Sequence, residues 1–189
     1  MVLAIPEGQH SVTPHLVVRG GAKSIEFYKQ AFGAVERYRN EGPGGMLMHA
    51  ELQIGDSRIF LADAMPGSAR SPLELKGSPV ILHLYVNGVD ALWARAVAAG
   101  AKVTMPLANQ FWGDRYGQVE DPSGHVWALG QHMEDLTPDE IGRRAAAHFA
   151  SMPPPKPAAR KKPKARAKSK PRAKARKAKK PARKAAKKK

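Results

Sequence analysis

The chain has 189 residues and a formal net charge of +16, a length that fits one ordinary domain or two small ones. It contains no cysteine, which excludes disulfides and thiolate chemistry and fits a reducing compartment. No stretch approaches the roughly 20 apolar residues of a membrane span, and the N-terminus MVLAIPEGQH lacks the basic region and long apolar core of a signal peptide. We therefore expect a soluble, cytoplasmic protein without a membrane partner.

The positive charge is concentrated at the C-terminal end. Of the 32 Lys and Arg residues, 19 lie in 153–189, a segment with no Asp or Glu. Residues 1–152 contain the remaining 13 basic residues and all 16 acidic residues, so they carry a net charge of −3. The sequence thus joins a mildly acidic body to a strongly basic tail.

The first predicted unit begins at His15 with HLVVRGGAKSIEFYKQAFGA. HLVV is typical of a strand, and Ile25, Tyr28 and Phe32 recur at the spacing of one helix face. Gly33 suits the left-handed position that closes a helix. Two further strands, MLMHAELQI and SRIFLAD, are joined by Gly55-Asp56, a dipeptide suited to a two-residue hairpin.

A second unit begins at His83 with HLYVNGVDALWARAVAAGA. Its helix is predicted to face inward through Val89, Leu92, Ala96 and Val97, and Gly100 is expected to close it. The strands GDRYGQVE and HVWALGQ follow, joined by Asp121-Pro122-Ser123-Gly124, which favours a type I turn. Both units read strand, helix and then further strands, so we predict an α+β fold of two βαβββ modules.

The segments SIEFYKQAFGA, MHAEL, LADAMP, FWGDRYG and EDPSGHVWALG resemble the vicinal oxygen chelate superfamily, which includes glyoxalase I, bleomycin-resistance proteins and extradiol dioxygenases. Within it the chain looks most like the PhnB-like branch. The resemblance implies that the two modules form a curved mixed sheet around a ligand cavity, often completed across a homodimer. We assign 1–135 to this domain, 136–152 to a C-terminal helix and 153–189 to the tail.

In metal-dependent members of the superfamily, four ligands lie at equivalent strand positions, two in each module. The resemblance carries these positions onto Thr13, Phe60, Ile81 and Ala128; the two pairs are each separated by 68 residues, as are His15 and His83. Three of the four have no donor atom, and a threonine hydroxyl is a poor ligand. We therefore expect no metal at the usual glyoxalase position and no cofactor.

His15 and His83 lie two residues beyond empty ligand positions. Because strand side chains alternate, residues i and i+2 share a face, so both imidazoles are expected to point into one cavity. Pairing of Ile54 with Ser57 would set Glu51 opposite Phe60, with His49 on the same side. The predicted ligand-binding lining is therefore His15, His49, Glu51, Phe60 and His83, and the catalytic candidates are His15, Glu51 and His83.

Three interpretations of this lining remain open. The side chains could be hydrogen-bonded residues that shape a cavity, or a metal-free binding or acid–base site, since histidine donates or accepts a proton near neutral pH. They could also form a displaced metal site, because two histidines and a carboxylate suit Fe(II), Zn or Ni.

The stretch FWGDRYG adds Trp112, Arg115 and Tyr116. One interpretation is a rim over the cavity, where Arg115 binds an anionic or oxygen-rich ligand. The alternative is an aromatic corner in which Arg115 pairs with Asp114 or Glu120. His125 and Trp127 have the opposite strand parity to Ala128 and are expected to pack beneath the helices.

Thr137-Pro138-Asp139-Glu140 is a predicted capping box. It begins a helix with Ile141, Ala145 and Phe149 on one face, expected to dock on the body or on a dimer partner. Beyond PPP the tail has no large apolar residue, and its like charges repel, so we expect disorder. Its composition resembles linker-histone tails.

Lys and Arg at this density favour non-specific, salt-sensitive binding to nucleic acid. The alternatives for the tail are a solubilising segment without a partner and binding to anionic membrane or polyphosphate. The candidate nucleic-acid-binding residues are Arg160, Lys161, Lys162, Lys164, Arg166, Lys168, Lys170, Arg172, Lys174, Arg176, Lys177, Lys179, Lys180, Arg183 and Lys184.

Three functions follow from these observations. The first is a metal-free small-molecule-binding domain that the tail tethers to nucleic acid, with association with the nucleoid as a consequence. The second is an enzyme of the lyase, isomerase or dioxygenase kind that uses the histidine-lined cavity. The third is an architectural nucleoid protein whose body only dimerises.

Overall fold

The structure, a computed structural model, describes residues 2–67 and 69–152. The first module contains β1 (His15–Val18), α1 (Gly21–Phe32), β2 (Val35–Glu41), β3 (Leu47–Ile54) and β4 (Ser57–Asp63). After the short helix α2 (Pro72–Leu75), the second contains β5 (Ile81–Tyr85), α3 (Val89–Ala98), β6 (Lys102–Asn109), β7 (Asp114–Glu120) and β8 (Val126–His132). The helix α4 (Pro138–Ser151) follows. The predicted pair of βαβββ modules is confirmed.

Each module folds its strands into a four-stranded mixed sheet, in the order β1-β4-β3-β2 in the first and β5-β8-β7-β6 in the second. The first and last strands of each module are parallel neighbours, and the other pairs are antiparallel. His15 lies opposite Phe60, and His83 lies opposite Ala128. The register that the 68-residue repeat predicts is therefore present in both sheets.

The repeat extends to the helix starts. The N–H groups of Gly20 and Gly21 each donate to Asp63 Oδ1 at 2.8 Å. In the second module, Gly88 and Val89 donate to Gln131 Oε1 at 2.9 and 3.0 Å. The first N–H groups of a helix have no partner within it, so an acceptor at the end of the last strand fixes each helix to its own sheet.

The core lies between the sheets and the helices α1 and α3, which pack against each other. Ile25, Tyr28 and Phe32 are buried as predicted. In α3, Val89, Leu92 and Ala96 are buried, but Val97 is 41% exposed. The prediction for Val97 was wrong because a residue next to Ala96 is turned about 100° around the helix axis, away from the core.

A buried carboxylate links the two modules. Asp121, in the turn between β7 and β8, is 3% exposed, and its Oδ2 accepts hydrogen bonds from Tyr28 Oη at 2.5 Å and Trp127 Nε1 at 3.1 Å. Its Oδ1 accepts from the N–H groups of Ser123 and His125 at 2.8 and 2.9 Å. Four donors satisfy the charge, as a buried carboxylate requires.

The predicted capping box of α4 is confirmed. The Thr137 hydroxyl accepts from the Glu140 N–H at 3.3 Å, and the Glu140 carboxylate accepts from the Thr137 N–H at 2.9 Å. No residue of α4 is buried. Phe149 is 61% exposed, and its ring centroid lies 5.7 Å from that of Phe111. The apolar face of α4 is therefore only partly covered by the body.

The described body forms one compact unit that ends at Met152. The predicted basic tail and its candidate nucleic-acid-binding residues lie outside the described residues. Within the described ranges, every helix is too short or too polar to span a bilayer.

Candidate functional site

The first sheet carries a group of rings on the face opposite its helix. His49 and Phe60 lie with their ring centroids 4.9 Å apart, and the His15 ring lies 6.0 Å from His49 and 6.1 Å from Phe60. Glu51 lies opposite Phe60 in the sheet, as the hairpin register predicts. We call His15, His49, Glu51 and Phe60 the first cluster; the structure brings together all four residues predicted in this module.

Polar neighbours hold Glu51 in place. Its Oε2 accepts hydrogen bonds from Gln9 Nε2 at 3.0 Å and Arg58 Nη1 at 3.3 Å, and its Oε1 lies 3.7 Å from His49 Nε2. With an arginine as its ion-pair partner, the carboxylate provides a fixed negative charge beside the imidazole.

The second sheet carries a matching group. The His83 ring stacks on Tyr85 at 4.2 Å and lies 5.5 Å from Tyr116, and the Trp112 ring lies 5.5 Å from Tyr116. We call His83, Tyr85, Trp112, Asp114 and Tyr116 the second cluster. Trp112 and Tyr116, for which a cavity rim and an aromatic corner were the two interpretations, lie in this cluster, and Tyr85 and Asp114 are additions from the structure.

Asp114 is the centre of the second cluster. It is 4% exposed and accepts hydrogen bonds from Tyr85 Oη at 2.8 Å, Trp112 Nε1 at 3.0 Å and His132 Nδ1 at 3.0 Å. Burial opposes its ionisation, but bonds from His132, Tyr85 and Trp112 hold its pKa below the ordinary value. Hydrogen bonds to Asp135 and Asp114 raise the pKa of His132.

His15 and His83, one histidine from each cluster, are biased toward the neutral form. Burial lowers the pKa of His15, and the neighbouring His49 lowers it further. Burial also lowers the pKa of His83, partly offset by the negative charge of Asp114. At pH 7 both imidazoles therefore offer one donor nitrogen and one acceptor nitrogen.

Arg115 lies on the other face of its sheet. Its guanidinium donates to both carboxylate oxygens of Asp90 on α3, at 2.6 and 2.8 Å, and to Asn109 at 3.1 Å. Neither the predicted rim position nor the alternative pairing with Asp114 or Glu120 is found. Strand alternation gives the reason, because Arg115 faces the helices when Tyr116 faces the opposite way.

The two clusters occupy equivalent positions on separate sheets. Within the described residues, no hydrogen bond or ring contact joins His15 to His83. A cavity of about 340 Å³ lies at the junction of β1, β5 and the segment 70–80; it is lined by His15 and Leu82 but not by His83. We call it the junction cavity. The expectation that both histidines line one cavity is therefore not met within a single described chain.

Phe60, Ile81 and Ala128 offer no donor atom to a metal, and the hydroxyl of Thr13 bonds to Gln9 at 3.4 Å. These side chains do not fit the metal site of the metal-dependent members. Among the described residues, no three His, Cys, Asp or Glu side chains are grouped so as to hold a metal ion.

Sequence reasoning missed Tyr85, Asp114 and the cavity wall at 70–80. Tyr85 could have been found, because it lies two residues after His83 on the same strand face. Asp114 shares a face with Tyr116 in the same way, but its neighbours depend on how β5 and β8 approach β7. Trp127 packs beneath α1 as predicted, whereas His125 is buried against the backbone of β1 at the junction cavity.

Comparisons with known proteins agree with this fold. The sequence profile of the glyoxalase/bleomycin resistance protein/dioxygenase superfamily matches residues 8–129. A protein of Mycobacterium tuberculosis (strain ATCC 25618 / H37Rv), itself uncharacterized, is 47% identical over 135 residues, which are 69% of this chain and 79% of that protein.

Solved structures match as well. A gene product from Arabidopsis thaliana is 28% identical with a TM-score of 0.52, and the match covers 64% of this chain and 97% of that one. TioX from Micromonospora sp. ML1 shares the fold at 23% identity, with a TM-score of 0.52 over 68% of this chain and 100% of that one. By its sequence and its paired βαβββ modules, the chain belongs to the glyoxalase/bleomycin resistance protein/dioxygenase superfamily.

Proposed function

We propose that the body is a metal-free binding domain for a small organic molecule with aromatic or extended apolar surface. One observation carries this proposal: both sheets expose an imidazole–aromatic cluster at equivalent positions, whereas the superfamily's metal positions hold side chains without suitable donors. Ring faces and edges favour planar apolar groups, and neutral imidazoles supply the few polar contacts that orient a ligand.

The ligand-contacting residues in this proposal are His15, His49, Glu51, Phe60, His83, Trp112 and Tyr116, with Tyr85 added. Arg115 is left out because Asp90 occupies its guanidinium. A catalytic role for His15, Glu51 or His83 is the alternative, since a neutral imidazole 6.0 Å from a second imidazole ring could act as a general base.

A thermal-shift screen of the full chain against a library of small aromatic compounds tests the proposal, followed by the double variant His15→Ala, His83→Ala. We expect ligands that raise the melting temperature of the wild type and lose most of this effect in the variant. His10→Ala is the matched control, because His10 is exposed and lies outside both clusters.

If a ligand is converted by the wild type and this turnover is lost in the double variant, the result would favour the enzymatic alternative. A screen without any stabilising ligand, together with an intact dimer, would favour the architectural alternative and contradict the binding proposal.

We also propose that a second copy of the chain covers the exposed sheet faces. Tyr38, Ile81 and Tyr85 are 51, 50 and 58% exposed on the faces that carry the clusters, and apolar patches of this kind mark interfaces or ligand sites. Light scattering after size-exclusion chromatography should give twice the 20.5 kDa mass of the chain. A monomer at all concentrations would contradict this.

The basic tail, by its composition alone, supports a third element of the proposal: a tether to nucleic acid through Arg160–Lys184. Each phosphate that a cation neutralises contributes about −0.9 to the slope of log K against log salt. A filter-binding salt titration compares the full chain with a 1–152 truncation, which retains the complete compact unit. Equal affinity of the full chain and the truncation for DNA would contradict the proposed tether. Placement in the PhnB-like branch and the likeness to linker-histone tails stay predictions.

A further inference from the structure

The junction cavity lies apart from the aromatic faces and shares only His15 with the first cluster. Its walls come from three places in the sequence: β1 supplies Leu16, β5 supplies Leu82, and the segment 70–80 supplies Arg70 and Leu75. At about 340 Å³ it falls at the lower end of the range of small-molecule sites, roughly 300–1,000 Å³.

The cavity wall is mostly apolar and partly open. Leu75 and Val80 at its edge remain 51 and 59% exposed, which gives the opening an apolar rim. Leu16 is buried beside them. The opposite wall is fixed by His125, whose Nε2 lies 3.0 Å from the carbonyl oxygen of Val17.

A cation without an anionic partner stands at this apolar cavity. Arg70 lines it, and its guanidinium makes no ion pair with any residue in 2–67 or 69–152. Glu74, the nearest acidic residue in sequence, instead accepts a hydrogen bond from the Ser71 N–H at 3.3 Å. The positive charge at the cavity is therefore available to a ligand.

Arg70 directly precedes the buried N-cap of α2. Ser71 is fully buried, forms the capping box of α2 with Glu74 and does not itself line the cavity. Its neighbours Arg70 and Pro72 both line the cavity. The capped start of α2 therefore places Arg70 at the edge of the cavity.

We propose that the junction cavity binds a small organic anion, with its apolar body against Leu16, Leu75 and Leu82 and its carboxylate or sulfonate on Arg70. The volume limits the size: at about 30 Å³ for each water-sized group, the cavity holds roughly ten non-hydrogen atoms. A single-ring or short-chain carboxylate fits, whereas a large polycyclic molecule does not. This site goes beyond the proposed function, because its anion-binding residue belongs to neither cluster.

A matched pair of probes tests the site on the full chain: 4-phenylbutyrate, and 4-phenylbutan-1-ol, which keeps the ring and chain but lacks the charge. Titration calorimetry is done at about 0.3 M salt, which weakens attraction of the acid to the basic tail. We expect a Kd for the acid in the range of about 10 μM to 1 mM, and weaker binding of the alcohol.

The variant Arg70→Gln should lower the affinity for the acid by about tenfold or more, since hydrogen bonds to charged groups are the strong ones. The affinity for the alcohol should stay unchanged. Arg19→Gln, at an exposed arginine that does not line this cavity, should change neither. Val80→Trp, which fills the mouth from a residue that is 59% exposed, should abolish binding of both probes.

Failure here is distinguishable from failure of the proposed function. His83→Ala should leave the affinities of both probes unchanged. A thermal-shift screen that finds no ligand for the two clusters would not change the result of this titration. The inference is overturned if the acid does not bind at concentrations up to about 10 mM, or if Arg70→Gln binds the acid as tightly as the wild type.

Discussion

Tyr28→Phe isolates the hydrogen bond that joins the two modules. The Tyr28 side chain is 1% exposed, and its hydroxyl donates to Asp121 Oδ2 at 2.5 Å. A hydrogen bond to a charged group contributes about 1.5–3 kcal/mol. The carboxylate keeps its donors from Trp127, Ser123 and His125, so the larger penalty of an unpaired buried charge does not apply.

We therefore expect Tyr28→Phe to lower the free energy of unfolding by about 2 kcal/mol. For a body of this size the melting temperature should fall by roughly 4–8 °C. Urea unfolding, followed by circular dichroism and by tryptophan fluorescence, to which the buried Trp127 contributes, measures the change. Because the bond joins α1 to the turn between β7 and β8, both signals should change in one transition.

Tyr38→Phe is the matched control, since Tyr38 is 51% exposed and its hydroxyl makes no hydrogen bond to another described residue. It should unfold like the wild type, within about 0.5 kcal/mol. Burial, with Asp121 adding to it, raises the pKa of Tyr28 well above the ordinary value, so this phenol should ionise only when the protein unfolds in alkali. Equal stability of Tyr28→Phe and the wild type would refute the reasoning.

Two further predictions concern pH and the last helix. In a proton NMR titration, His15 and His83 should titrate below about pH 6.5 and His132 above it. Protonation of His15 and His83 should therefore destabilise the body as pH falls below about 6.5, whereas the stabilising contribution of His132 is lost as pH rises through its own pKa. The reverse order of midpoints would contradict the assigned contacts. In α4, Thr137→Ala should reduce helix stability by about 1 kcal/mol. Gly142→Ala, with open space around an added Cβ, should increase it by about 0.5–1 kcal/mol. Helicity by circular dichroism should therefore fall in the first variant and rise in the second, and amide exchange in α4 should become faster in the first and slower in the second.

Features with a local or periodic signal could be predicted from the sequence. The 68-residue repeat fixed the equivalence of His15 and His83, and the hairpin at Gly55-Asp56 fixed the pairing of Glu51 with Phe60. Alternation along a strand and the spacing of a helix face act over a few residues. The capping box at Thr137 was predictable for the same reason.

Other features required the folded chain. Arg115 was expected either at the rim of the cavity or paired with Asp114 or Glu120, yet its partner is Asp90, 25 residues away on α3. The junction cavity involves the segment 70–80, which carries no periodic pattern, together with residues of β1 and β5.

The amino-acid order by itself therefore determined the two modules, their strand registers and which side chains share a face, because these follow from the geometry of neighbouring residues. Only the tertiary structure decided which distant side chains meet. The packing of α1 on α3 and the hydrogen bonds of Asp121 hold the modules together, while each module closes a sheet of its own, so that His15 and His83 lie on separate sheets and the junction cavity lies beside His15.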